Sequence, residues 1–402
     1  MSANPAANLL QSILGDFEGH GVSDIQIHSN RLIYLHTKQG LEIATEKGPT
    51  PAEVVEAVAE WLYARQSADP FKRSTDQQAQ STLRERLRED TVLDFGCEGL
   101  PLGNGQISGR MRVQAHLSSS GLGLTCRILN DSIPNLDHLG LSADTCHSLK
   151  GFLLRRQGLG LVTGQTGSGK STTLAALINW VREHHPRHIV TIEDPIEYRY
   201  PTDMPHPQDP RARIPGPGFV TQQQVGIHVA TYQQGLKDVL RKAPHVILLG
   251  EIRDRETMNT CIEAAQTGHV VISTLHTNGA VKTLSRILEF FPRDQHRGLL
   301  SRLSEILMFI LSQGLMTGKQ GKVLNYEFLQ NTQSAVRSGI AHYDGEARSL
   351  EDVIRLSGNV EWDAHLTGLL RRGLITEEGF LLNRMNSEEE ESPFIGRKVV
   401  GF

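Results

Sequence analysis

The chain has 402 residues, 38% of them apolar and 21% charged, with a formal net charge of −4. That length accommodates two or three domains with full cores, and so small a charge sets up no global field for nucleic acid or an anionic membrane. Cys97, Cys126, Cys146 and Cys261 are scattered without metal-ligand spacing, the pattern of a reducing compartment.

The opening stretch, MSANPAANLLQSILGDF, lacks a basic n-region and a cleavable apolar core, so no secretory signal is expected. No apolar run reaches spanning length. Both features predict a soluble, cytoplasmic chain that reaches a membrane only through partners. Leu9, Leu10, Ile13, Leu14 and Phe17 recur at helical spacing and predict a core-facing helix. Ser23 to His36 alternates in polarity and reads as two strands. Thr50-Pro51-Ala52-Glu53 reads as a capping box with proline at the first helical position, opening a helix with Val54, Val55, Val58, Trp61 and Leu62. The polar stretch from Gln66 to Gln80 reads as a connection.

Two strands follow, MRVQAHL and GLGLTCRIL, joined by a Ser/Gly turn. Matching their apolar faces pairs Leu117 with Leu122 and sets Arg112 opposite Arg127. Like charges facing across a strand pair repel, and neither strand carries an acid to relieve them. The arginines either splay into solvent or await an anion that bridges both guanidiniums. An α+β domain is therefore expected over residues 1–128, a linker over 129–139, and a nucleotide domain with a helical C-terminal part over 140–385. Residues 386–402, which begin near EEEE, read as a flexible tail.

GQTGSGKST fits the pattern G-x-x-x-x-G-K-[ST], so Gly164, Gln165, Thr166, Gly167, Ser168, Gly169, Lys170, Ser171 and Thr172 form a candidate phosphate-binding loop. Glycines let successive backbone N–H groups point inward at phosphate oxygens. Lys170 is suited to the terminal phosphates and the Ser171 hydroxyl to Mg²⁺. An apolar strand, Leu159 to Thr163, precedes the loop, and an apolar-faced helix, Ser171 to Val181, follows it. That order aims a positive helix N-terminus at the anion. Three further buried strands are expected, over Arg187–Ile192, His245–Leu249 and within His269–Thr277. Strands alternating with helices around such a loop predict a parallel, doubly wound α/β sheet. The stretch holding Pro201, Pro205, Pro207, Pro210, Pro215 and Pro217 reads as a solvated loop without regular structure.

A hydrolase of this type needs acids where strands end beside the loop. Glu251 follows an apolar strand and is the candidate catalytic carboxylate. Glu193, Asp194 and Glu197 form a second acidic group, of which Asp194 and Glu197 serve equally well as helix caps. His276 follows a buried strand and reads either as a neutral donor to phosphate or as a structural histidine.

VTGQTGSGKSTTLAALI, TIEDPIEY, VILLGEIRDRET and AAQTGHVVISTLHTNGA resemble, in order and spacing, the Walker A, Asp, Walker B and His boxes of the secretion-motor ATPases. That superfamily includes PilT-like pilus motors and the ATPases of type II and type IV secretion. The resemblance implies a RecA-like P-loop motor domain preceded by a smaller PAS-like domain, with six subunits in a ring and ATP and Mg²⁺ as ligands. It implies Lys170 and Ser171 as phosphate and Mg²⁺ groups, Glu251 as the catalytic carboxylate, and Glu193 and His276 as active-site supports, with Glu193 a further Mg²⁺ candidate. It also implies N-domain arginines that reach the phosphates, for which Arg112 and Arg127 are the choice. Arg241 reads either as an arginine completing a neighbour's site or as an exposed helix residue.

The AIRNLI-like motif of retraction motors is replaced by SAVRSGI, and LRKAPHVILLGE stands where pilus motors tend to have Asp-Pro-Asp. These departures point to the DotB/TraJ-like branch, which implies an ATPase of type IVB secretion or conjugative transfer, working at the cytoplasmic face of an envelope-spanning complex. A pilus motor and a RecA-like nucleic-acid translocase are the alternatives. The translocase would want a basic, aromatic-lined groove, and aromatics are 5% of this chain. Direct nucleic-acid binding is therefore not expected. No N-K-x-D tetrapeptide reads guanine, and no LSGGQ follows the phosphate loop.

Overall fold

The computed structural model describes residues 5–16, 21–37, 40–64, 83–97, 101–102, 106–107, 109–129, 132–206, 209–343, 348–356 and 358–385. Phe17, the Gln66–Gln80 connection and the tail lie outside those residues. By contact density the chain divides into two units, Met1–Asn135 with Ala175–Gly250, and Leu136–Leu174 with Glu251–Phe402.

The N-terminal part of the first unit is an antiparallel sheet. Its strands are β1 (Asp24–His28), β2 (Tyr34–Thr37), β3 (Gly40–Ile43), β4 (Val92–Cys97), β7 (Arg110–Ser118) and β8 (Gly121–Leu129), in the order β3-β2-β1-β8-β7-β4; β5 (Pro101–Leu102) and β6 (Gln106–Ile107) pair separately. Alternation does the sorting. Ile25, Ile27, Val113, Ala115, Leu124 and Cys126 are buried in one cluster with Leu10 and Ile13 of α1 (Pro5–Asp16) and Val55, Val58 and Leu62 of α2 (Ala52–Tyr63). The alternate positions, including Asp24, Gln26, Arg112, Gln114 and Arg127, are only half-buried or exposed. The β7–β8 hairpin pairs Leu117 with Leu122 and Arg112 with Arg127, the register that the apolar faces predict.

Thr50 does not cap α2. Pro51 occupies the cap position and no side chain bonds there. The Thr50 backbone is instead taken up by Arg31, to whose carbonyl its N–H donates over 2.9 Å.

The larger sheet has the order β13-β10-β14-β15-β9-β16-β17. Its strands are β9 (Gly158–Thr163), β10 (His188–Glu193), β13 (Phe219–Gln224), β14 (Val246–Leu249), β15 (Val270–Leu275), β16 (Leu307–Gly318) and β17 (Gly321–Gln330). The helices of the chain after α2 include α3 (Leu83–Asp90), α4 (Ala143–Leu153), α7 (Arg255–Gln266) and α9 (His296–Ile306). Every residue of β9, β14 and β15 is buried, as expected of strands covered on both faces. The sheet is mostly parallel, with β17 antiparallel to β16 at one end. The fold is thus α/β with a smaller antiparallel domain. Among the described residues no helix is long and apolar enough to cross a membrane.

The proline-rich stretch is not irregular. β11 (Asp203–His206) and β12 (Asp209–Pro215) pair antiparallel, with Asp203 opposite Pro215 and an irregularity at Pro205/His206. A two-stranded ribbon consists only of edge strands, where a missing N–H can face outward and proline is tolerated. Arg182, only 1% exposed, anchors it by donating Nη1 to the Asp203 carbonyl over 3.2 Å. Among the described residues beyond Glu327, where periodicity fades, four helices follow: α10 (Ser334–Ala341), α11 (Arg348–Ile354), α12 (Trp362–Arg371) and α13 (Glu377–Asn383). None exceeds 10 residues, too few turns for a clear repeat.

Candidate functional site

β9 delivers the glycine-rich loop to the start of α5 (Lys170–His184). Gly164, Gly167 and Gly169 have φ of +140°, +80° and +90°, conformations that side-chain-bearing residues rarely adopt. A Cβ on Gly164 would collide with the Gln313 carbonyl oxygen, so the loop's base is closed by β16. At Gly167 a Cβ would meet nothing within 4 Å. Gln165, Thr166, Gly167 and Ser171 are exposed, Gly169 and Thr172 half-buried. Ser168 is buried, and its Oγ has no partner among the described residues.

Lys170 is buried, and its Nζ donates to the carbonyls of Gly164 and Gln165 over 2.8 and 2.9 Å. The ammonium thus lies across the loop it would serve. Gln313 ties the other end, donating Nε2 to the Thr173 hydroxyl over 2.9 Å. A bare glycine crown, a helix N-terminus and a lysine within the loop suit a polyphosphate. Ser171 offers an exposed hydroxyl in the first helical turn, and such an oxygen suits a hard cation that keeps most of its ligands as phosphate and water.

Glu251 follows Gly250 and β14 in the chain and belongs to the unit that holds the phosphate loop. The Glu251 side chain is 15% exposed and forms an ion pair with Arg253. Its Oε2 lies 3.5 Å from Nε2 of His276, which follows β15 and is itself largely exposed. The Ile252 N–H donates to the Thr274 carbonyl over 3.1 Å, stitching the Glu251 turn to β15. Glu251 and His276 are therefore brought together. Arg253, two residues beyond Glu251, is a partner that the sequence reading did not single out.

The remaining candidates belong to the other unit. Glu193 ends β10, and its Oε1 accepts from Thr191 Oγ1 over 2.7 Å and Gln222 Nε2 over 3.0 Å. Burial pushes this carboxyl up to about 7, against the pull of those two donors. Arg112 and Arg127 are not unrelieved. Arg127 Nε lies 2.7 Å from Asp24, and Arg112 Nε lies 3.8 Å from Asp94. The acids come from β1 and β4, on either side of the hairpin. Arg241 sits exposed in the turn after α6 (Tyr232–Val239).

Residues 75–356 match the family described as "Type II/IV secretion system protein". The chain belongs to that family. Among its members, the uncharacterized protein YggR of Escherichia coli is 36% identical over 80% of this chain and 87% of its own length. A twitching motility protein of Neisseria gonorrhoeae is 35% identical over 76% of each. The crystal structure of the pilus retraction motor PilT with bound ADP aligns with a TM-score of 0.74 at 30% identity, covering 94% of this chain and 97% of PilT. The ATPase DotB of Legionella pneumophila aligns with a TM-score of 0.76 at 24% identity, covering 94% and 95%, a likeness of fold. The chain is a motor ATPase of the type II/IV secretion superfamily and hydrolyses ATP.

Proposed function

We propose that the chain works as a six-membered ring in the cytoplasm, recruited to the cytoplasmic face of an envelope machine whose parts it moves by hydrolysing ATP. The observation that carries the reading is that one unit holds both the phosphate-loop lysine and Glu251, a carboxylate beside Arg253 and His276. Glu251 polarises the attacking water, His276 supports it, and Lys170 holds the terminal phosphates. Ser171 would hold Mg²⁺, with Glu193 at the end of β10 as a further candidate carboxylate, and the cation would neutralise phosphate charge. Arg112 and Arg127 serve the phosphates from the N-terminal sheet, and Arg241 is offered to a neighbouring subunit.

Of the two machines, a pilus-type filament motor is the better supported, because identity of 30% or more runs to the twitching motility protein and to PilT. A motor of type IVB secretion or conjugative transfer is favoured by one observation of this chain. Its counterpart to the retraction motif, Ser334 to Ile340, reads SAVRSGI. Purified protein with ATP and Mg²⁺ should show turnover that Glu251→Gln abolishes, and native mass measurement should give a sixfold assembly with an ATP analogue. Monomers under every nucleotide condition would remove the ring. Loss of surface filaments on gene deletion, rather than of DNA or effector transfer, would decide the machine.

A further inference from the structure

His276 stands three residues before Gly279, the residue that precedes α8 (Ala280–Glu289). Gly279 adopts φ +91°, and α8 has no side-chain cap of its own. A helix start leaves amides that must find acceptors elsewhere. Here they find them on the β16–β17 hairpin, where Ser312 and Glu327 are register partners. The Gly279 N–H donates to Ser312 Oγ over 2.8 Å, and the Ala280 N–H donates to Glu327 Oε1 over 2.6 Å. Both side chains are buried, Ser312 fully and Glu327 to 7% exposure. Thr283 closes the turn from inside the helix, donating Oγ1 to the Gly279 carbonyl over 2.7 Å while lying 2.8 Å from the Thr277 hydroxyl. The next residue of β16, Gln313, is the one that closes the phosphate loop and bonds Thr173.

We propose that Glu327 and Ser312 are positioning residues for hydrolysis: they fix the start of α8, and with it the short loop that carries His276 to Glu251. The inference rests on the roles given above to Glu251 and His276. A carboxylate at a helix N-terminus is favoured by the helix dipole. The groups facing Glu327 are Lys282 on α8 and Glu361 and Asp363 at the start of α12, around a cavity of about 140 Å³; no titratable side chain of β16 faces it. Burial, with help from Glu361 and Asp363, pushes the Glu327 carboxyl up to about 7, so its charge is lost in mildly acidic solution.

The test separates positioning from stability. Glu327→Ala and Ser312→Ala should each lower kcat by on the order of tenfold or more, because small misplacements of a catalytic group are costly. Binding of a fluorescent ATP analogue should be unchanged, since both side chains bond to the start of α8. Glu327→Gln keeps an acceptor oxygen for Ala280 and should restore kcat, with a pH profile flatter than wild type between pH 6 and 8. Glu251→Gln measured alongside guards the underlying reading: if it turns over normally, that reading fails whatever Glu327 does. Should Glu327→Ala not fold, Ser312→Ala and Glu327→Gln decide the matter alone. A folded Ser312→Ala or Glu327→Ala protein with wild-type kcat would overturn the proposal, as would a Glu327→Gln protein as impaired as Glu327→Ala.

Discussion

Two carboxylates end neighbouring strands of the large sheet, and their surroundings differ in kind. Glu251, after β14, is bonded to the guanidinium of Arg253 and lies near the imidazole of His276. Glu193, at the end of β10, is bonded to neutral donors, among them the Thr191 hydroxyl, the Gln222 amide and the Glu197 backbone, and its pKa rises to about 7. A cationic partner favours the charged form of an acid, whereas neutral donors in a buried place do so weakly. Sequence alone presents both as acids after apolar strands. The difference is one of partners, a guanidinium and an imidazole beside Glu251 and neutral donors at Glu193.

The largest effect expected from this contrast is at Glu251. Glu251→Gln should lower kcat by about 10²- to 10⁴-fold, the range of a positioned acid–base group, with binding of an ATP analogue retained. Lys170→Ala should instead lose binding together with turnover, because its ammonium is the charge within the phosphate loop. If Glu193→Gln rather than Glu251→Gln abolishes turnover in a fluorescently monitored phosphate-release assay, the assignment is reversed.

A smaller effect sharpens the other side of the comparison. The Glu193 carboxyl is raised from an ordinary 4.5 to about 7. Between those values the folded chain holds a proton that the unfolded chain has released, so stability falls as pH rises through that window and the loss is complete above pH 7. Glutamine stays neutral throughout. Glu193→Gln should therefore match wild type in acid and exceed it by up to about 3 kcal/mol at pH 8. Chemical denaturation at several pH values reads this directly, and a pH-independent difference would remove the titration from Glu193.

Local signals in the sequence carry the phosphate loop, its flanking strand and helix, and the Glu251 and His276 turns, because each is set by residues close in the chain. The hairpin register was equally legible, since one mismatch would turn its apolar face to solvent. What escaped is non-local. Asp24 and Asp94 relieve the arginines from strands that neighbour the hairpin in space only. Gln313 and Glu327 stand out as polar residues inside the apolar runs of β16 and β17, yet nothing in those runs names Thr173 or Ala280 as their partners. The proline-rich ribbon is hidden from a reading of local sequence because proline forbids central strands but not a pair of edges.

The smallest effect on the fold belongs to Arg112 and Arg127, and its smallness makes the test clean. Their side chains are 36% and 53% exposed, and each has its own acid, Asp94 and Asp24. The Arg112–Asp94 pair is exposed at both ends, and such pairs contribute about 0.2 to 1 kcal/mol, so Arg112→Ala should leave the melting temperature within a few degrees of wild type. Asp24 is 15% exposed, so Arg127→Ala should cost somewhat more. Turnover is a separate matter. If the arginines only hold their aspartates, Arg112→Ala and Asp94→Ala should resemble each other, as should Arg127→Ala and Asp24→Ala, with normal turnover at saturating ATP. If the arginines serve the triphosphate, only the arginine variants should lose turnover. Removing an aspartate would free its guanidinium for the anion and should leave turnover intact or raise it. The sign of the aspartate effect on turnover decides between the readings, because freeing an arginine helps only if the anion competes for it.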